Sequence, residues 1–238
     1  MKSVLILSGG IDSSTLLYHL LDQGYEVHTL TFIYGQRHAK EVACAKKIVN
    51  RALERGFVDH KIVDISSIHE LISKGAITGE ERVPEGYYTE ERQKLTIVPN
   101  RNMVLLSIAV GYAVKIGAKE VHYAAHKSDF IYPDCRKEFV KALDTAIYLG
   151  NIWEPVELRA PFVDMTKAEI VKLGLKLGVP YELTWSCYLG EERPCLKCGT
   201  CVERTEAFLL NNARDPLLSD EEWKEAVEVY RKFKPEME

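Results

Sequence analysis

Short apolar runs alternate with amphipathic stretches along this chain. Residues 4–7 (VLIL) are a continuous apolar run of buried-strand length. Over residues 13–23 a helix is predicted, with Leu16, Leu17, Leu20 and Leu21 on one stripe and Gly24 as its stop. Residues 25–33 read as a strand through Val27, Leu30 and Phe32. Residues 37–55 read as a helix, with Val42, Ala45, Ile48, Val49 and Ala52 at helical spacing. Strands follow at 61–65, 120–125 and 156–160, and helices at 100–116 and 135–149. Such alternation predicts crossover units, hence an α/β fold: an open, mostly parallel sheet with helices on both faces. Parallel sheets bind ligands beyond the carboxyl ends of their strands. Residues 8–14, 34–38, 66 onward, 126–136 and 161–167 are therefore the segments where chemistry is expected.

Two regions depart from this rhythm. Residues 73–98 are polar, with Gly75, Gly79, Pro84, Gly86 and the pair Tyr87–Tyr88. A connection this long is a lid, an oligomer contact or a disordered excursion. After Gly178 comes a cysteine-rich tail with two short helices, the last opened by a Ser219–Glu222 capping box. The expected division is a nucleotide-binding domain over 1–178 and a small helical, metal-binding region over 179–238 packed on it.

The formal net charge of -4 over 238 residues supplies no general basic field, so nucleic acid is disfavoured as a partner. The first apolar run is too short for a secretion signal, and the longest apolar stretch, 103–116, is interrupted by Ser107, Gly111, Tyr112 and Lys115. A cytoplasmic protein without a membrane partner is expected.

The stretch Ser8-Gly-Gly-Ile-Asp-Ser-Ser14 joins the first strand to the first helix. Two glycines permit a sharp turn with successive N–H groups exposed, and the following helix adds its unpaired first-turn donors. Ser8, Ser13 and Ser14 add hydroxyls, so the loop suits a phosphate or pyrophosphate. No Gly-Lys-Ser/Thr follows and the third glycine of a dinucleotide fingerprint is missing. Asp12 either caps the helix or helps to hold a magnesium ion beside the phosphates.

This loop resembles the pyrophosphate-binding (PP) loop of the N-type ATP pyrophosphatases, which cleave ATP between the α- and β-phosphates. The resemblance implies their adenine-nucleotide α-hydrolase-like fold, with ATP held by Leu7, Ser8, Gly9, Gly10, Ile11, Asp12, Ser13, Ser14 and Thr15. Four further motifs narrow it: Tyr34-Gly-Gln-Arg-His38, Pro99-Asn-Arg-Asn102, Tyr132-Pro-Asp-Cys-Arg136 and Thr166-Lys-Ala-Glu-Ile170. With the cysteines they make the chain similar, over nearly its whole length, to the 7-cyano-7-deazaguanine synthase family.

Each motif has a plain structural alternative. Thr166 and Glu169 form a capping box, but Lys167 then occupies the first helical position, where the dipole disfavours a cation. A bound anion would remove that conflict, so Lys167 is expected at an ATP phosphate or acyl-adenylate. Arg101 is a surface charge or a phosphate ligand at its helix start. Asp134 caps its own helix or, as the resemblance implies, accepts the guanine-like N–H groups of the substrate. The expected catalytic residues are thus Lys167, Asp12 and Arg101; the substrate contacts are Asp134, Arg136, Gln36 and His38. Cys44 and Cys135 are ordinary small residues.

Cys187, Cys195, Cys198 and Cys201 place four soft ligands within 15 residues. Four-thiolate structural zinc, an iron–sulfur cluster and disulfides are the readings. The Cys-Pro that usually trails a ferredoxin cluster motif is missing, and the resembled family carries zinc. Gly199 is expected to supply the turn, and the zinc to fold the tail beside the active site without touching substrate. The resemblance implies a homodimer that uses ATP, Mg2+ and ammonia to turn 7-carboxy-7-deazaguanine into the 7-cyano product through an acyl-adenylate and an amide. Rival readings are an ammonia-dependent NAD synthetase, a tRNA thiolase, and a zinc module that binds a partner.

Overall fold

The computed structural model describes residues 1–36, 40–78, 82–87, 89–129 and 131–234. Five strands, β1 (Lys2–Ile6), β2 (Glu26–Ile33), β3 (Val58–Asp64), β4 (Glu120–His122) and β5 (Glu157–Arg159), form one parallel sheet in the order β3-β2-β1-β4-β5. The described helices are α1 (Ile11–Asp22), α2 (Lys40–Ala52), α3 (His69–Ile72), α4 (Gly75–Thr78), α5 (Glu90–Lys94), α6 (Arg101–Ile116), α7 (Lys137–Gly150), α8 (Lys167–Leu177), α9 (Gly199–Leu210) and α10 (Asp220–Phe233). None is long and apolar enough to cross a membrane.

The first apolar run is continuous because both faces of its strand are covered. Leu5, with Leu7 just beyond the strand, packs under α1, α2, α8 and α9 in one apolar cluster. Val4 packs on the other face with Leu106, Ala109 and Ala113 of α6 and Ile147 of α7. Phe208 of α9 and Tyr181 belong to the same cluster as Leu5, so the tail beyond residue 178 shares a core with the sheet. A buried ion pair fixes it there. Arg204 donates to both carboxylate oxygens of Asp215, at 2.5 and 2.8 Å, and also to Thr184 Oγ1 and Tyr181 O. The partners of this buried charge are supplied in full, which burial demands.

Strand order reverses between β1 and β4, the one interior place where the crossovers leave a crevice at the carboxyl edge. The described part of residues 73–98 closes over that crevice. Glu85 forms an antiparallel bridge with Cys198, the Gly86 N–H donates to Lys197 O at 2.7 Å, and the Tyr87 hydroxyl donates to Glu206. Residues 85–87 of the long connection are therefore pinned to the cysteine region and α9.

Candidate active site

The crevice holds a cavity of about 280 Å³. Its lining joins the first loop (Leu7, Ser8, Asp12, Ser13), the β4 edge (His126, Asp129), α6 (Arg101, Asn102), Asp134, Lys167 and, from the cysteine region, Thr200 and Glu203. Ile77 and Thr96–Val98 of the long connection complete it.

The loop is built as its glycines suggest. Gly9 has φ +84°, and a Cβ there would lie 2.6 Å from Glu41 O and 2.7 Å from Ala45 N, so only glycine lets the loop lie on α2. The Ser8 N–H donates to Ser13 Oγ at 3.2 Å and the Gly10 N–H to Ser8 Oγ at 3.2 Å. The remaining loop assignments separate by depth. Ile11 and Ser14 are buried behind the cavity wall, and Thr15 Oγ1 bonds Ile11 O and the Tyr181 hydroxyl at 2.8 Å each. These three build the floor rather than face the cavity.

Asp12 does not cap α1, whose N-cap is Gly10 without a side-chain bond. Its Oδ2 instead accepts from Lys167 Nζ at 2.5 Å across 155 residues of sequence. Burial pushes the Asp12 carboxyl up, but Lys167 and His126 outweigh it and hold it below the usual carboxylate range. Thr166 closes the expected capping box, so Lys167 is fixed at the first position of α8. Its conflict with the helix dipole is answered by two carboxylates, Asp12 and, at 3.6 Å, Glu203. Burial lowers the Lys167 ammonium pKa, but these acids and Asp129 raise it above its ordinary value.

His126 and Asp129 extend the cluster. His126 Nε2 lies 3.2 Å from Asp129 Oδ2 and 3.7 Å from Asp12 Oδ2. Burial, helped by Lys167, pulls the His126 imidazole down to about 3, so it is neutral. Burial pushes Asp129 up to about 8 and also raises Glu203.

A second group lies at Arg101, which neighbours Tyr34, Cys135 and Asp134. Asp134 does not cap its own helix: the N-cap of α7 is Arg136, without a side-chain bond, and Asp134 Oδ2 accepts the Asn102 N–H at 3.3 Å, at the start of α6. Gln36 lines the cavity but spends both ends of its amide on its own turn, accepting from the Tyr34 N–H and donating to Phe32 O. Arg136 is exposed and outside the lining. His38 lies outside the described residues. Cys135 is buried in the cavity wall, whereas Cys44 packs beside the cysteine cluster.

Glu41, His126, Asp129 and Glu203 were missed by sequence reasoning. His126 and Asp129 fall in a segment that the sheet-edge rule selects. Glu203 had a subtler signal. Helix α9 is buried on most of its sides, and a Glu there must meet a partner.

The four tail cysteines converge, with Sγ atoms all within 4.8 Å of one another. The Cys195 and Cys198 N–H groups donate to Cys187 Sγ and Cys195 Sγ, at 3.4 and 3.3 Å. The turn freedom comes from Leu196 at φ +60°, not from Gly199, which opens α9 as an ordinary helical residue. The tail lies beside the cavity: α9 starts at the knuckle and delivers Thr200 and Glu203 to the lining.

A glycine loop after β1, a lysine facing its aspartate and a crevice at the strand-order reversal define a PP-loop type of α/β fold. Two solved structures share the fold. A 4-thiouridine synthetase–RNA complex with bound ATP matches at TM-score 0.52 and 18% identity, over 97% of this chain and 52% of that one. The NMN synthetase from Francisella tularensis matches at TM-score 0.50 and 12% identity, over 99% and 88%.

The sequence model of the family described as "Queuosine biosynthesis protein QueC" matches residues 2–212, and the chain belongs to that family. The 7-cyano-7-deazaguanine synthase of Archaeoglobus fulgidus is 73% identical over 98% of this chain and 97% of its own length. That of Caldicellulosiruptor bescii is 52% identical over 91% and 96%.

Proposed function

We propose that this enzyme converts 7-carboxy-7-deazaguanine and ammonia into 7-cyano-7-deazaguanine at the expense of ATP. The substrate carboxylate attacks the α-phosphorus, pyrophosphate leaves, and an acyl-adenylate forms. Ammonia then displaces AMP to give the amide. A second ATP adenylylates the amide oxygen, and loss of AMP with two protons from nitrogen leaves the nitrile.

The observation that carries the reading is the Lys167–Asp12 pair in the loop cavity. Lys167 is a permanent cation beside the loop that would seat the phosphates, where it offsets charge developing on the α-phosphate and pyrophosphate. Loop N–H groups and the Ser8 and Ser13 hydroxyls exchange their mutual bonds for phosphate oxygens. The apolar Ile77 and Val98 help keep water from the activated acyl group.

The residues fit a magnesium ion as well. Asp12 Oδ1 is buried and, among the described residues, accepts no hydrogen bond, and Asp129 and Glu203 offer further hard oxygens in the same lining. Magnesium bound there would neutralise phosphate charge. The four cysteines fit zinc: a tetrahedral thiolate site with bonds of about 2.3 Å sets sulfurs about 3.8 Å apart, close to the spacing here. All four positions are filled by protein, so this zinc is a structural staple.

The test is mass spectrometry of products from protein given ATP, magnesium, ammonium and 7-carboxy-7-deazaguanine. The expected result is the nitrile with AMP and pyrophosphate, and one zinc per chain by elemental analysis. Failure to form either AMP or nitrile with zinc-loaded protein overturns the reading. AMP without nitrile would leave an adenylylating enzyme with another acceptor.

A further inference from the structure

An acyl-adenylate survives only where water is kept from it, and the apolar lining that does so, Ile77 and Val98, sits on the long connection. Two of the bonds that hold this connection's surroundings meet at one carboxylate outside the cavity. The Tyr87 hydroxyl donates to Glu206 Oε2 and the Tyr230 hydroxyl to Glu206 Oε1, each at 2.9 Å. Glu206 lies on α9, the helix that also carries Glu203, and Tyr230 lies on α10. One acid thus clasps three segments that are distant in sequence. Bonds to an ionised acceptor are the stronger kind.

A chain of contacts runs from the clasp to the lining. Arg92 Nη1, on α5, donates to Tyr87 O at 2.9 Å. Helix α5 leads into Leu95, whose carbonyl accepts the Ala76 N–H at 2.7 Å, and into Thr96, whose hydroxyl bonds that of Tyr132. Ala76 and Thr96 adjoin Ile77 and Ile97 of the lining. Helix α10 adds a direct contact. Gly86 has φ +93°, and a Cβ there would lie 2.7 Å from Arg92 Nη1 and 2.9 Å from Cδ1 of Phe233, so the connection lies close against the end of α10. This helix stands past residue 212, where the match to the family's sequence model ends.

We propose that Glu206 is a positioning residue for the reaction: by holding Tyr87 and Tyr230 together it keeps Ile77 and Val98 seated over the activated acyl group and excludes water from it. This deepens the functional reading above and rests on it. With the clasp open, a water oxygen attacks the acyl carbon in place of ammonia. The bond from that carbon to the AMP oxygen breaks, the protons of water pass to solvent, and the substrate carboxylate is regenerated. The net reaction is then ATP and water to AMP and pyrophosphate.

The experiment measures leak in the zinc-loaded protein at saturating ammonium. Leak is the AMP left after one is counted for each amide and two for each nitrile, as a fraction of all AMP formed. Wild-type protein is assayed first; if it forms no nitrile, the functional reading fails and this inference falls with it. With an active wild type, leak is expected below about 10%, and Tyr87→Phe and Glu206→Ala should each raise it about threefold or more. Leak is a ratio measured on one preparation, so a partly folded variant does not change it, and Tyr87→Phe keeps the ring should Glu206→Ala fail to fold. Glu206→Gln, whose amide accepts from one hydroxyl and donates to the other, should stay near the wild-type leak. An active wild type with unchanged leak in Tyr87→Phe would overturn the inference and leave the function standing. So would a folded Tyr87→Phe that forms neither AMP nor nitrile, or a Glu206→Gln as leaky as Glu206→Ala, where the charge and not the clasp would matter.

Discussion

The chain opens two helices with the same local device. In α8 the Thr166 N–H donates to Glu169 Oε2 at 2.7 Å and the Glu169 N–H returns to Thr166 Oγ1 at 3.3 Å. In α10 the Ser219 N–H donates to Glu222 Oε2 at 2.9 Å and the Glu222 N–H returns to Ser219 Oγ at 3.2 Å. The two boxes differ in the residue they enclose at the first helical position. In α10 it is Asp220, an exposed acid that suits the dipole; in α8 it is Lys167, which opposes it. The box by itself says where a helix begins. A residue kept inside the box against the local preference says where the chain needs a fixed charge.

The comparison breaks hardest at Lys167. Lys167→Met should lower AMP formation by about 10²–10³-fold, whereas Asp220→Lys should leave it unchanged. Equal activities in wild type and Lys167→Met, by a pyrophosphate-release assay, would reduce α8 to the status of α10.

Thr166→Ala and Ser219→Ala form the next pair. Each should cost about 1 kcal/mol of stability, seen as about 2–4 °C in thermal unfolding of a chain this size. Only Thr166→Ala should also lower kcat, by about tenfold or more, because it loosens the seat of Lys167. A kcat unaffected by Thr166→Ala would show that Asp12 and Glu203 alone hold the lysine.

Asp220→Lys tests the dipole argument directly and should cost about 0.3–1 kcal/mol. The smallest effect is one of pH. Bonds from the Thr166 N–H and hydroxyl hold the Glu169 carboxyl below its ordinary value of 4.5. The unfolded chain then binds more protons in the acid range, so this contribution is complete above the ordinary value and fades as pH falls through the folded-state value. The difference in unfolding temperature between wild type and Glu169→Gln should therefore shrink from pH 6 towards pH 3. A difference that grows in acid would refute the assignment.

Much of the fold was legible because both faces of a central strand are covered: VLIL could hardly be anything but a buried strand. Turn glycines and helix periodicity placed the crossovers, and the sheet-edge rule then selected the segments that meet in the cavity. Boundaries slipped where the signal is polar. Strand β3 starts at Val58, yet its exposed and half-buried positions, including Asp59 and Lys61, hide the onset. Site residues were legible where a motif violates a local preference, as at Lys167. They were not where the reason lies across the fold. Gln36 and Asp134 both line the cavity, but Gln36 also completes a turn and Asp134 also accepts the Asn102 N–H, 32 residues away. Glu203 stands beside a metal motif that invites a purely structural reading of everything near it.

The bridge between Glu85 and Cys198 bears on how the protein is made. The glycine loop is translated within the first 15 residues, but residues 85–87 are held by a knuckle that ends at Cys201, and Glu203 follows still later. A nascent chain stopped between Arg159 and the knuckle has every strand of its sheet but lacks a complete pocket. The cavity is thus completed late in synthesis, only once the four cysteines and the α9 residues Thr200 and Glu203 have been translated.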